Sequence, residues 1–316
     1  MAFEEPGRRT RRPEESARPE KSGACEPTGN AWEFTDDRGV RVSGGSRRSP
    51  RIVAYVRAGA ALDAYGLTPV AVYGSGHDSA TVPDPAKAGS LGPTVGYLGV
   101  GARLDAAGLA ALAPDLLVDV TYDGRTPYAV GEEPATAAEV PLAVLGVGAG
   151  TTLEGIVGRF AALAAALGGS ARGAAGEWAA ARRELGAAVA GAARPPRVLV
   201  LSAAGPEQVH IARPDAWPEL CHLAALGVDL VRPLPASGVN WLTTDWEHAL
   251  TLGAGADLVL ADSRAHATAP AVLAALPAWQ RLTAAATVLP WNPELPPAPG
   301  ACAHFLREVA AAVGVR

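Results

Sequence analysis

The stretch RIVAYVRAGAALDAYGLTPVAVYG, residues 51–74, decides the fold class. RIVAYV (51–56) is an apolar, β-rich run, RAGAALDAYG (57–66) switches to helical spacing with Gly66 as its stop, and PVAVYG (69–74) is a second apolar run. Strand, helix and strand in immediate succession make a βα unit, which belongs on a largely parallel sheet. The pattern continues outward. Before it, WEFTDDRGVRVS reads as two short β runs around a turn at Asp37-Arg38-Gly39. After it, LDAAGLAALA leads into PDLLVDVTY (114–122), and PLAVLGV (141–147) precedes the helical TLEGIVGRFAALAAALG. A long helical pattern, ARGAAGEWAAARRELGAAVAGAA (171–193), ends at Pro195-Pro196. A second cycle follows, with RVLVLSA (197–203), LCHLAALG (220–227), DWEHALTLG (245–253), DLVLAD (257–262), LPAWQRL (276–282), ATVLP (286–290) and a final helix near 299–313. The expected architecture is α/β: two βα lobes with largely parallel sheets, joined by one long rigid helix, with a ligand cleft between the lobes. The expected divisions are a disordered segment at 1–30, a first lobe at 31–169, the connecting helix at 170–194 and a second lobe at 195–316.

Composition narrows the function. The chain has 316 residues and a net charge of −5, and residues 1–30 hold as many acidic as basic side chains, so the charge belongs to the body. A mildly acidic body offers no footprint for nucleic acid, and no apolar run reaches the roughly 18 residues of a membrane span. Cys25, Cys221 and Cys302 are odd in number and lack C-x-x-C spacing, which argues against a disulfide framework or structural zinc. Arg8-Arg9 is not followed by the apolar stretch of an export signal, so the expected location of the sequence as it stands is the cytoplasm. The turns GVGAGTT (146–152) and GYLGVG (96–101) lack a complete dinucleotide fingerprint, and there is no P-loop, G-x-S-x-G elbow or H-E-x-x-H helix. The aromatic residues are scarce, but seven Trp outnumber six Tyr and four Phe, and their positions therefore carry information.

Ligands of open α/β folds bind at the carboxyl ends of strands. Arg57 follows the first such strand and opens a helix, where it serves either an anionic or carbonyl-rich ligand or a surface salt bridge. Tyr73 and Ser75 follow the next strand; Tyr122, Asp123, Arg125 and Tyr128 follow PDLLVDV. In the second half Trp241 is expected in a loop before a helix capped by Thr244 or Asp245, Trp291 lies just past a strand, and Trp217 accompanies Arg213 in RPDAWPEL. Aromatic walls with a few arginines suit a bulky, partly apolar chelate with exposed oxygens. His77, Asp78 and Asp123 are too few for a direct metal site, which needs several His and carboxylates converging from both lobes.

The ordered series WEFTDDRGVRV, RIVAYVRAGAALDAYGLTPVAVYGS, LAALAPDLLVDVTYDG, PLAVLGVGAGTTLEGIVGRFAALAAALG, ARPDAWPELCHLAALGVDLV and WEHALTLGAGADLVLAD resembles the substrate-binding proteins of ferric-siderophore and cobalamin ABC importers over residues 32–314. That resemblance implies two lobes bridged by a rigid helix and a shallow cleft holding a ferric siderophore or similar metal chelate. It implies an ABC importer permease as partner and no cofactor beyond iron carried inside a bound chelate. Members are normally exported and often lipid-anchored through a Cys before the first hairpin, and Cys25 stands near that place. The expected ligand-binding set is Arg57, Tyr73, Ser75, Tyr122, Arg125, Tyr128, Arg213, Trp217, Trp241 and Trp291. The alternative is a cytoplasmic member turned into an enzyme or carrier of specialised-metabolite biosynthesis, with Tyr73, His77, Asp123 and Asp245 as acid–base candidates.

Overall fold

Asp36 and Asp37 fix the first feature of the fold. In the computed structural model, which describes Met1 and residues 32–44, 50–170, 174–234 and 238–314, β1 (Trp32–Thr35) and β2 (Arg41–Gly44) pair antiparallel. The Asp36 carboxylate accepts from the backbone N–H groups of Arg38 and Val40 to shape the turn, where Gly39 adopts φ +80°. Asp37 accepts from Gly146 N and ties the hairpin to the first lobe. The segment 1–30, including Cys25, lies outside the described residues except for Met1.

The first lobe is built on five strands, β3 (Ile52–Tyr55), β4 (Ala71–Gly74), β5 (Gly96–Val100), β6 (Leu116–Thr121) and β7 (Leu142–Gly146). They lie in the order β5-β4-β3-β6-β7, all parallel. Strands β3, β4 and β6 are buried along their whole length, because helices cover both faces, which explains their unbroken apolar runs. The helix predicted after β3 runs over Val56–Asp63, and the chain leaves it through Gly66 at φ +80°. Thr152 caps the helix Leu153–Ala166 by accepting from Gly155 N.

The second lobe holds β8 (Arg197–Ala203), β9 (Val209–Ala212), β10 (Asp229–Leu230), β11 (Trp241–Thr244), β12 (Leu258–Asp262) and β13 (Thr287–Trp291). Strands β8, β10, β12 and β13 pair parallel, whereas β9 and β11 add antiparallel at one edge. That edge corrects the expectation of a loop at Trp241. Leu242, Thr243 and Thr244 pair with Ile211, His210 and Val209, and Trp241 itself opens the strand. The connecting helix, Ala174–Gly191, packs along the final helix, Pro299–Gly314, and contributes Trp178, Ala181 and Leu185 to the second core. No helix among the described residues is long and apolar enough to cross a membrane.

The lobes meet through buried charge. Lys87, one of two lysines in the chain, is fully buried and places its Nζ 2.8 Å from Asp78 of its own lobe and 2.9 Å from Glu294 of the other. Tyr55 donates to the same Glu294. Around this pair the backbone joins in: Ala265 N donates to Asp84 at 2.8 Å, Asn292 donates to Ala86 O at 2.6 Å, and Arg57 Nε donates to Leu295 O at 2.9 Å. Removing one partner of such a set strands buried charge, which costs about 3–5 kcal/mol. Lys87→Met is therefore expected to lower unfolding free energy by about 3–5 kcal/mol in urea titration; a loss below about 1 kcal/mol would mean the contact behaves as a surface pair.

Candidate functional site

A cavity of about 630 Å³ opens between the lobes, within the usual size range of small-molecule sites. Its first-lobe wall is His77, Tyr122 and Tyr128; its second-lobe wall includes Ser202, His210, Trp217, Asn240, Trp241, Arg264, His266 and Glu294. Tyr122 follows β6 and Arg264 follows β12, so the cavity lies where carboxyl strand ends converge.

The aromatic wall is a cluster of three indoles. Ring centroids of Trp217 and Trp241 are 5.1 Å apart, Trp217 and Trp291 5.4 Å, and Trp241 and Trp291 5.8 Å, with the last two pairs edge-to-face. Three residues separated by up to 74 positions thus meet: Trp241 opens β11, Trp291 closes β13 and Trp217 immediately precedes the helix Pro218–Ala225. Trp241 is half-buried and lines the cavity, and Trp217, buried beside it, lines it too. Trp291 does not reach the cavity, contrary to expectation: it is 1% exposed and forms the backing on which the other two rest. Across the cavity, Tyr122 packs edge-on against Tyr128 at 4.8 Å, and Tyr128 against Tyr55 at 5.7 Å, so the opposite wall is also aromatic.

Arg264 supplies the polar anchor, and sequence reasoning passed it over. Its Nε and one terminal nitrogen bond Asp262, the latter at 2.7 Å, and the other terminal nitrogen bonds Glu294 at 2.9 Å. A guanidinium has five N–H donors, so one N–H on each terminal nitrogen is left for an acceptor in the cavity. Asp262 is held in turn by Ser202 at 2.8 Å. Burial alone would raise the Glu294 carboxyl, but Lys87 and then Arg264 outweigh it and hold the group down at about 2. Burial lowers His210 and His266 below the ordinary imidazole value, and Arg264 pushes His266 the same way. The signal for Arg264 was present: it follows the strand end of DLVLAD, just as Arg57 follows RIVAYV.

Several expected site residues have structural work instead. Tyr73 is fully buried and donates to Val118 O at 3.0 Å. Ser75 is buried and hydrogen-bonded with Asp78. Arg57 lies beneath the cavity, bonding Leu295 O and, at 3.4 Å, the Tyr122 hydroxyl. Arg125 is exposed and away from the cavity wall, and its backbone N–H donates to Asp123. Arg213 directs its guanidinium at the carbonyls of Trp241 and Pro233. Of the acid–base candidates, Asp123 is a turn residue whose carboxyl is lowered by the Thr126 and Arg125 N–H groups, and Asp245 caps the helix Trp246–Leu252. His77 does line the cavity, with its ring 6.0 Å from that of His266 in the other lobe. Among the described residues no group of three or more His, Cys, Asp or Glu could hold a metal ion.

Compared by sequence, the chain matches no protein-family model and no curated protein. Compared by structure, it is similar to DesE, a ferric-siderophore receptor protein from Streptomyces coelicolor, at 28% identity and a TM-score of 0.76, over 90% of this chain and 98% of that one. It shares its fold with the Fe3+–Desferal-bound siderophore binding protein FhuD from Vibrio cholerae, at 16% identity and a TM-score of 0.59, over 84% and 98% of the two chains. It shares it also with the periplasmic heme-binding protein RhuT from Roseiflexus sp. RS-1, at 18% identity and a TM-score of 0.60, over 84% and 98%.

Beneath the indoles, Glu219 is buried and accepts from Trp291 Nε1 at 3.2 Å; burial pushes its carboxyl up to about 7 against the pull of Arg57. A folded-state value above the unfolded one means that its contribution is complete below the ordinary Glu range and lost as pH rises through about 7. Asp119, also raised by burial to about 7, acts in the same direction. The protein should lose about 2 kcal/mol through Glu219 between pH 5.5 and 8, and Glu219→Gln should reduce the slope of unfolding free energy over that interval. An unchanged slope would show that Glu219 ionises as it does in the unfolded chain.

Proposed function

We propose that this chain, which has the two-lobed, helix-bridged fold of siderophore and heme substrate-binding proteins, captures a ferric siderophore or similar bulky metal chelate. The observation that carries the reading is one cavity with Trp217 and Trp241 on one side, Tyr122 and Tyr128 on the other, and two N–H groups of Arg264 between them. Aromatic faces bury the apolar backbone of a chelator, while a guanidinium fork donates to the oxygens that surround the metal. Iron enters as part of the chelate and not as a resident cofactor. The DesE likeness supports the same ligand class, and an ABC importer permease is the partner that would receive the loaded protein.

The indoles provide the readout. Ferrichrome, a ferric trihydroxamate, should quench tryptophan fluorescence in a saturable, one-to-one titration at sub-micromolar to micromolar concentration. Trp241→Ala should weaken the affinity by roughly tenfold or more, as removal of a central aromatic anchor does. A panel of ferric hydroxamates, ferric catecholates and heme that produces no saturable quenching would count decisively against the proposal.

A further inference from the structure

The buried charges around the cavity hold no excess of positive charge. Only two of its lining residues are acidic or permanently basic, Arg264 and Glu294, and they are bonded to each other at 2.9 Å. Just beneath, Asp262 lies against Arg264 at 2.7 Å with its side chain fully buried, and Lys87 is shared between Glu294 and Asp78. This connected set therefore contains two cations, Lys87 and Arg264, and three carboxylates, Asp78, Asp262 and Glu294. Arg57, buried below the floor, adds one positive charge, and Glu219, buried beside it under the indoles, adds one negative charge above about pH 7, so the set carries no excess of positive charge.

Resting on the chelate-binding reading above, we infer that the cavity selects uncharged chelates over anionic ones, and that Asp262 and Glu294 are the specificity-determining residues because they cancel the charge of Arg264 without occupying its remaining donors. An uncharged chelate, such as a ferric trihydroxamate, can accept those two N–H groups and give up little hydration. A tris-catecholate carries three negative charges and must shed a large hydration energy on entry. It would meet a guanidinium already neutralised, with two carboxylates behind it that repel the incoming anion. Arg264 thus supplies direction and hydrogen bonds but no net attraction.

The experiment is a competition titration of the full chain between ferrichrome and ferric enterobactin, an uncharged and a trianionic chelate of similar size, at pH 8. Burial lowers His210 and His266 below the ordinary imidazole value, so these two add no charge at that pH. Ferrichrome is expected to bind about 100-fold more tightly than ferric enterobactin, with an affinity nearly independent of salt. Asp262→Asn, which uncovers part of the Arg264 charge, should narrow that ratio by about tenfold. Equal or tighter binding of ferric enterobactin by the wild-type protein, or an unchanged ratio in a folded Asp262→Asn protein, would overturn the inference while leaving the chelate-binding reading in place. Failure of both chelates to bind would overturn the two together. If Asp262→Asn does not fold, the wild-type ratio and its salt dependence decide.

Discussion

The rest of the structure depends on one buried ionic chain, Asp78–Lys87–Glu294–Arg264–Asp262, which runs from the first lobe to the second. Charges without water are stable only when every partner is in place. The chain therefore fixes the relative position of the lobes as well as the side chains within it. The short helix Pro85–Ala88 brings Lys87 to the joint, and its capping residue Asp84 reaches across to Ala265 N. One long covalent helix and this ionic chain join the lobes, and neither suits wide opening and closing.

The same interaction shapes the binding surface. Glu294 and Asp262 hold Arg264 from two sides, so its guanidinium lines the cavity in a fixed position. The three indoles are fixed by a different means, packing and the Trp291–Glu219 and Trp217–Asn240 hydrogen bonds. A cavity built in this way is preorganised: little side-chain entropy remains to be lost when a ligand arrives. Its capacity to discriminate then comes from charge and shape, and not from induced closure.

Much of this was legible in the sequence. Apolar runs alternating with helical spacing gave two βα lobes and the connecting helix, because strands buried on both faces leave an unmistakable apolar trace. Trp217 and Trp241, expected near the cleft from the rule that α/β ligands sit at strand ends, line the cavity. The same rule misplaced Tyr73 and Trp291, because it locates the end of a strand but not the face to which a side chain turns, and a single residue of register reverses that face. Strand β11 was missed because VNWLTT lacks an apolar run; its partner strand β9, with Ile211 and Val209, completes the pattern. Arg264 follows a strand end and was still passed over, for a deeper reason. An arginine past a strand end normally meets water, and its role here depends on Glu294 and Lys87, the latter 177 positions away in the chain.

The central claim is that a metal chelate occupies the cavity between the indoles and Arg264 with the lobes already in place. Anomalous diffraction at the iron edge, from crystals grown with ferrichrome, tests it most directly. The account predicts one iron peak in the cavity, over Trp241 and Arg264, with the Lys87–Glu294 contact intact and the lobes oriented as they are without ligand. An iron peak elsewhere, no peak at saturating ferrichrome, or a bound state reached by breaking that contact would contradict it.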